Sequence, residues 1–198
     1  MAPSDVTVRI ASRGPDDAAD REALLTFAAH VTGVDTAHVV VGRRCPHCRS
    51  TDHGRPWASV DGRPVRVGLA RAPRALALAV GPDPLGIDLE RVSRLTAAPL
   101  DDAFTPGEHR RAAGDPRALT ACWAAKEAVL KHDGRGLRVD PARVDVDLGT
   151  GTARLDGDLH PVVVRWLDDD LVLAVRTRET VQVDDRRAAG ERGAQPRR

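Results

Sequence analysis

GIDLE at residues 86–90 and WAAKEAVLK at residues 123–131 are the two stretches that decide the fold of this chain. The first follows an apolar run and a Gly-Pro turn, so we predict a strand over residues 85–90. Alternate residues of a strand point to the same side, which places Asp88 and Glu90 on one face. Two carboxylates on one face repel each other, and a hard cation with oxygen ligands, such as Mg2+, would relieve that repulsion. The alternative is a strand whose outer face is solvated.

The second stretch lies in a helix predicted over residues 116–132, with Asp115 as its N-cap. At about 100° per residue, Lys126 lies near the middle of the apolar face, and Glu127 and Lys131 lie on its border. A lysine in that position either extends its ammonium group to water or is buried with an anionic partner, such as a bound phosphate. Glu127 and Lys131 have the alternative of an ordinary helical ion pair, worth roughly 0.2–0.5 kcal/mol.

Taken together, the two motifs resemble the signature of the 4′-phosphopantetheinyl transferase superfamily. The resemblance is closer to the monomeric, two-lobed subclass that activates carrier proteins of polyketide, nonribosomal peptide and fatty-acid synthesis. Three other segments also resemble parts of that family, and the resemblance covers roughly residues 20–175. These segments are HGRP at 53–56, FTPGE at 104–108 and GRGL at 134–137.

The resemblance implies an enzyme, a holo-carrier-protein synthase, that uses coenzyme A and Mg2+. A serine hydroxyl of an acyl or peptidyl carrier protein would attack the β-phosphate of coenzyme A. The phosphopantetheine arm would be transferred, and adenosine 3′,5′-bisphosphate would leave. Such an enzyme serves the carrier proteins of secondary metabolism.

The resemblance also implies roles for individual side chains. Asp88, Glu90 and Glu127 would hold the metal ion against the pyrophosphate. Glu127, or Glu108 through a water molecule, would take the serine proton. Lys131 would stabilise charge on the transferring phosphoryl group. The residues that would bind coenzyme A are Arg21, His53, Gly54, Arg55, Arg71, Lys126 and Lys131.

The fold is predicted to be α+β, because one strand and one helix are followed by strands, then helices, then strands. The resemblance adds two similar α/β lobes, related by a pseudo-twofold axis and packed face to face, with the active-site cleft between them. We expect an N-terminal lobe at residues 1–84 and a C-terminal lobe with the metal and catalytic motifs at residues 85–178. Residues 179–198 are charged and lack an apolar period, so a disordered tail is predicted there.

Two segments have alternative interpretations. Where the family places a serine-containing segment near the 3′-phosphate of coenzyme A, this chain has GLA at residues 68–70, followed by Arg71 as a candidate substitute. That departure leaves open a non-catalytic module on the same fold that binds coenzyme A or carrier proteins without turnover. Glu108 has a structural alternative as well, because Thr105 and Glu108 have the spacing of a helix capping box.

Cys45 and Cys48, with His47 and His53 nearby, have a spacing similar to that of zinc sites. A closed four-ligand site would need both cysteines, one of the histidines and a remote ligand, and the adjacent His47 and Cys48 are poorly placed to bind one ion together. We therefore predict a reduced thiol pair in a loop, with zinc as the alternative. A zinc-containing nucleic-acid binder is the third function class, but it leaves Lys126 and the three acidic residues unexplained.

The composition restricts the possible partners. The 198 residues carry a net charge of +1 and only 3% aromatic residues, which gives little support for nucleic-acid binding. No apolar stretch approaches the ~20 residues of a membrane span, and the N-terminus lacks a signal-peptide apolar region. Three cysteines do not make a disulfide framework. We therefore expect a cytoplasmic monomer whose partners are coenzyme A and a carrier protein, with no membrane or nucleic acid.

Overall fold

The computed structural model describes residues 4–98 and 100–188. These residues form an α+β fold, as predicted, with eleven strands and four α-helices. The chain divides into two compact units. The N-terminal unit contains the described residues up to Leu85 together with Glu179–Arg187, and the C-terminal unit contains Gly86–Arg178.

The bounds of the elements agree closely with the pattern of caps and apolar periods. In chain order the elements are β1 (Val6–Ser12), α1 (Asp17–Thr32), β2 (Val39–Arg44), β3 (Arg55–Val60), β4 (Arg63–Ala72), β5 (Ala75–Gly81), β6 (Gly86–Arg91), α2 (Val92–Ala97), α3 (Pro106–Ala112), α4 (Pro116–Asp133), β7 (Asp145–Asp147), β8 (Thr152–Leu155), β9 (Asp158–Trp166), β10 (Leu171–Arg176) and β11 (Val181–Asp185).

The N-terminal unit is a six-stranded sheet in the order β11-β1-β5-β4-β3-β2, packed against α1. Asp16 caps α1 by accepting the backbone N–H groups of the first turn, and Gly33, with φ of 71°, ends it. The apolar side of α1, including Leu24 and Phe27, packs on β5, whose residues are all buried. This packing places the polar start of α1 near the end of β4 that carries Arg71.

The prediction of a disordered tail from residue 179 is wrong for the part that the structure describes. β11 pairs in parallel with β1, with Val6 opposite Val181 and Ile10 opposite Asp185. Valines at 181 and 183 alternate with polar residues, and short, charged strands are typical of sheet edges. The pairing partner lies far away at the start of the chain, so the local sequence showed little of it. Residues 189–198 lie outside the described part.

The C-terminal unit is a five-stranded sheet in the order β6-β10-β9-β8-β7, covered by α4. α4 begins after the N-cap Asp115 and ends at Gly134, which adopts a left-handed conformation with φ of 94°. Close packing against β6 requires a glycine at position 86, because a Cβ atom there would overlap the carbonyl oxygen of Ala128. The two motifs of the sequence therefore lie directly against each other.

Among the residues that the structure describes, no helix combines the length and the apolarity that a membrane crossing requires.

Candidate active site

β6 presents two carboxylates toward α4. Asp88 and Glu90 pair with Ala174 and Val172 of β10, which puts both acidic side chains on the same face of the strand. The Trp123 indole Nε1 donates a hydrogen bond to Glu90 Oε1 at 3.1 Å. The Lys131 ammonium group donates to Asp88 Oδ1. Two residues of one strand thus contact opposite ends of the WAAKEAVLK motif.

Glu127 lies between those two contacts along α4. Its Oε2 is 4.0 Å from the Lys131 ammonium nitrogen, so Lys131 is shared between Asp88 and Glu127. Burial raises the pKa of Glu127 to about 7; the Lys131 charge opposes this rise, and the charges of Asp88 and Glu90 add to it. We call Asp88, Glu90 and Glu127 the acidic cluster.

The pKa of Glu90 is also raised by its surroundings. Burial, followed by the charge of Asp88, raises its pKa, although the Arg94 guanidinium opposes the rise by donating to both of its carboxylate oxygens. Arg94 was not singled out in the sequence, because a lone arginine in a polar loop or short helix has no distinguishing signal. Arg94 follows Glu90 by four residues, and the turn from β6 into α2 places its guanidinium group next to the Glu90 carboxylate.

The acidic cluster has the donor chemistry of a site for a hard cation. Asp88 Oδ2 is buried and has no hydrogen-bond partner in the described part of the chain. Carboxylate oxygens are the ligands that Mg2+ prefers. The carboxylate oxygens of the acidic cluster are too far apart for all three to lie within 4.8 Å of one another. Among the described residues, only the ligand atoms of Cys45, Cys48 and His53 lie that close together. With a lysine between Asp88 and Glu127, the carboxylates are kept apart.

Lys126 has a different partner from the one that the resemblance implied. Its side chain is 0% exposed, and its Nζ lies 2.8 Å from Glu108 Oε2. The ammonium group also donates to the carbonyl oxygens of Pro141 and Val144. All three N–H donors are therefore used inside the C-terminal unit. The lysine is buried with an anionic partner, as one alternative predicted, and that partner is Glu108.

Glu108 is buried beside Lys126. It is 1% exposed, and its Oε1 accepts the backbone N–H of Val146 at 2.7 Å. Its Oε2 accepts the N–H of Thr105, while the Thr105 hydroxyl accepts the N–H of Glu108, which is a complete capping box at the start of α3. Both carboxylate oxygens are engaged in these contacts, which supports the structural alternative for Glu108.

An arginine cluster forms at the start of α1 in the N-terminal unit. Arg71 Nε donates to Asp20 Oδ2 at 2.5 Å and lies 3.4 Å from Asp17 Oδ1. Its Nη2 is buried and lacks a hydrogen-bond partner among the described residues. Arg43 Nη1 is 3.6 Å from Asp17 Oδ2, and its pKa is lowered by burial and by the nearby charges of Arg71 and Arg21.

The structure thus brings together Arg21 and Arg71, which the sequence analysis assigned to coenzyme A, and adds Arg43. The sequence analysis missed Arg43 because it lies in an ordinary strand pattern with no motif. Arg43 and Arg71 can be recognised as neighbours on one face of the sheet only when the strand order is known.

The HGRP segment lies where the β2–β3 loop enters β3. Arg55 is exposed and pairs with Arg44 in the hairpin. Gly54 has φ of 104°, and a Cβ atom there would lie 2.5 Å from the Arg44 carbonyl oxygen. The imidazole Nε2 of His53 lies 3.3 Å from Cys48 Sγ. The Arg55 side chain is therefore exposed, whereas the His53 imidazole contacts a thiol.

Comparison with known protein families identified a match in the C-terminal part of the chain. The family model described as the 4′-phosphopantetheinyl transferase superfamily matches residues 84–177. The matched part contains the whole acidic cluster, Lys131 and the Lys126–Glu108 pair. No curated protein matches the chain.

Proposed function

Because the chain belongs, through residues 84–177, to the 4′-phosphopantetheinyl transferase superfamily, we propose that it transfers the 4′-phosphopantetheine arm of coenzyme A to a serine of an acyl or peptidyl carrier protein. The family match indicates phosphopantetheinyl transferase activity in general. The donor, the carrier-protein target and the Mg2+ requirement belong to our proposal. The observation that carries it is the acidic cluster beside a partly exposed lysine, inside the matched part of the chain.

Asp88, Glu90 and Glu127 are the residues that would hold Mg2+. Two observations support this. The Oδ2 atom of Asp88 is buried without a hydrogen-bond partner in the described part of the chain, and a cation would supply that partner. The pKa values of Glu90 and Glu127 are raised in part by the repulsion between the carboxylates, and a cation would offset that repulsion. When bound, Mg2+ supplies charge that polarises the pyrophosphate and neutralises the leaving group.

Glu127 and Lys131 are the groups that we assign to the transfer itself. Glu127 lies beside Lys131 in the acidic cluster and is the carboxylate that we assign to accept the proton of the carrier serine. The serine oxygen forms a bond to the β-phosphorus, and the bond to the bridging oxygen breaks, with its electron pair leaving on adenosine 3′,5′-bisphosphate. The Lys131 side chain is 39% exposed, and Asp88 holds it in place to meet the negative charge of the phosphoryl group.

The arginine cluster is our candidate for a phosphate group of coenzyme A. Gly68 and Ala70 are buried in β4 and offer no hydroxyl, so a phosphate bound near that strand needs another donor. The unpartnered Nη2 of Arg71 is such a donor, and a guanidinium fork matches the geometry of a phosphate. Arg43 and Arg21 add positive charge beside it.

The test is transfer to an apo carrier protein, followed by mass spectrometry. In the presence of coenzyme A and Mg2+ we expect the carrier to gain one phosphopantetheine. Asp88→Ala and Glu127→Ala should each lower the rate by about a hundredfold or more, the usual loss when a group that stabilises transition-state charge is removed. Asp158→Ala, which removes an exposed carboxylate of β9 outside the cluster, is the matched control and should transfer normally.

Circular dichroism of each variant separates loss of chemistry from loss of fold. If several apo carrier proteins gain no mass while a known transferase modifies them in the same buffer, the proposal fails.

A non-catalytic module is the second candidate, and the missing hydroxyls of residues 68–70 favour it. Titration calorimetry with coenzyme A and Mg2+ separates the two. Tight binding without any transfer favours the module, whereas binding that Arg71→Ala weakens, together with transfer by the unmodified chain, favours the enzyme.

A further inference from the structure

The loop between β2 and β3 brings together three groups that bind soft metal ions. Cys45 is 7% exposed at the end of β2, while Cys48 and His53 are exposed. One ligand atom of each lies within 4.8 Å of the other two. No other His, Cys, Asp or Glu side chains of residues 4–98 and 100–188 form such a group. The arrangement is therefore a property of this loop and not a common feature of the surface.

Backbone hydrogen bonds organise the loop around the first sulfur. The N–H groups of Cys48 and His47 donate to the Cys45 sulfur. The N–H of Cys45 donates to the Ser50 carbonyl oxygen at 2.9 Å, and the N–H of Arg49 donates to the Cys45 carbonyl oxygen at 3.0 Å. Donors aimed at a sulfur stabilise its thiolate form, and the thiolate is the form that binds metal ions.

Gly54 allows the loop backbone to pack closely against Cys45, which places His53 beside the thiols. A Cβ atom at this position would lie 2.5 Å from the backbone nitrogen and Cα of Cys45, and φ is 104°, a conformation that favours glycine. The backbone of residue 54 therefore rests directly on Cys45. With the chain in this position, the imidazole Nε2 of His53 lies 3.3 Å from Cys48 Sγ.

We propose that Cys45, Cys48 and His53 bind Zn2+ through two sulfurs and one imidazole nitrogen, with the fourth position of a tetrahedron open to water. Two thiolates and an imidazole are ligands that Zn2+ takes in proteins, and a site with three protein ligands keeps an open position. The exposure of Cys48 and His53 places that position at the surface. Binding forms two Zn–S bonds and one Zn–N bond, releases the thiol protons to solvent and changes no oxidation state.

This proposal does not rest on the transferase activity, because all three ligands lie in the N-terminal unit and outside the part of the chain that the family model matches. It replaces the expected reduced thiol pair with a metal site. It also assigns the His53 imidazole to the metal and leaves Arg55 as the member of the HGRP segment that faces solvent. The zinc ion would join the two ends of the β2–β3 loop.

The test is the metal content of the full chain, purified without a metal-binding tag from a zinc-supplemented culture. Native mass spectrometry and elemental analysis should find one zinc ion per chain. Cys45→Ser and Cys48→Ser should abolish stoichiometric zinc, and His53→Gln should weaken zinc affinity, measured against a competing chelator, by at least about tenfold.

Two matched controls use side chains of the same types outside the site. His47→Gln removes the other histidine of the loop, and Cys122→Ala removes the third cysteine, which is buried in the C-terminal unit. Both variants should keep full zinc. Replacement of zinc by Co2+ should give a thiolate-to-cobalt charge-transfer band in the unmodified chain and in both controls, but not in Cys48→Ser.

Three results would overturn the proposal. The first is an unmodified chain that binds no zinc in the presence of excess ion. The second is a chain whose mass is lower by the two hydrogens of a Cys45–Cys48 disulfide after purification under mild reduction. The third is a Cys48→Ser variant that binds zinc as tightly as the unmodified chain. Because Cys48 and His53 are exposed, their variants report on the site even if the change at the buried Cys45 impairs folding.

Discussion

Neighbouring residues of α4 face opposite environments. Lys126 points into the C-terminal unit and pairs with Glu108, while Glu127, the next residue, belongs to the acidic cluster. Burial and the charges of Asp88 and Glu90 raise the pKa of Glu127 from its ordinary value of 4.5 to about 7, against the opposing charge of Lys131. A carboxyl that holds its proton more tightly in the folded protein destabilises the fold once it ionises.

The sign of this effect gives a prediction for the metal-free protein. Between pH 4.5 and about 7 the folded protein holds more protons than the unfolded chain, so its stability falls as the pH rises and the loss is complete above that range. We expect Glu127→Gln to raise the free energy of unfolding at pH 8, where a pKa difference of this size corresponds to about 3 kcal/mol. At pH 4.5 the same change should have little effect.

Urea denaturation in a chelating buffer at the two pH values measures this difference. Glu22→Gln, which changes an exposed carboxyl of α1, serves as the control and should have no such pH dependence. A gain from Glu127→Gln that is equal at both pH values, or a loss at pH 8, would contradict the assigned environment.

At the scale of elements, the contact between α4 and β6 positions the candidate site. The helix lies so close to the strand that a Cβ atom at position 86 would overlap the carbonyl oxygen of Ala128 and come within 2.8 Å of the backbone nitrogen of His132. Both obstacles are backbone atoms of α4 and cannot move by a change of rotamer. Because Asp88 follows two residues later, any shift of the helix would also alter its contact with Lys131.

Gly86→Ala should therefore destabilise the C-terminal unit by about 3 kcal/mol, the upper part of the range for overpacked positions. The matched control is Gly107→Ala in α3, where a Cβ atom would come closest to the flexible guanidinium end of Arg111, at 3.1 Å. The control should unfold at nearly the same denaturant concentration as the unmodified chain. Equal stability of the two variants would show that β6 and α4 are not so closely packed.

At the scale of the whole molecule, the chain leaves the N-terminal unit at Leu85 and returns to it at Glu179. β11 then covers the edge of β1, whose Val6, Val8 and Ile10 are all 0% exposed. The return also buries Arg187 to 2% exposure. Residues from both ends of the described chain thus contribute to one sheet.

A chain that ends at residue 178 should be less stable than one that ends at residue 188. Loss of β11 exposes the backbone edge of β1 and the apolar contacts of Val181 and Val183, so we expect a loss of at least about 2 kcal/mol and a greater tendency to aggregate. Thermal unfolding and light scattering of the two chains measure both effects. Identical unfolding would mean that β11 adds nothing to the sheet.

Much of the local structure followed from the sequence. The helix predicted over residues 116–132 is α4, Pro116–Asp133, because a capping aspartate, a first-turn proline and a terminal glycine mark its ends. The capping box of Thr105 and Glu108 was also predictable. β3 was not predicted as a strand, because the proline at its second position weakens the strand pattern. Strand alternation placed Asp88 and Glu90 on one face before any contact was known.

The sequence by itself determined the α+β class, the ends of the helices and the side of β6 that carries the carboxylates, because caps and periodicity act over a few residues. Only the tertiary structure decided that Lys126 pairs with Glu108, that β11 joins β1 and that His53 faces Cys48. Each of these contacts depends on which elements and loops come together, and on burial that no local pattern encodes. The physical reason is range: a backbone preference is local, whereas the partner of a buried charge or an open sheet edge is found only in the packed chain.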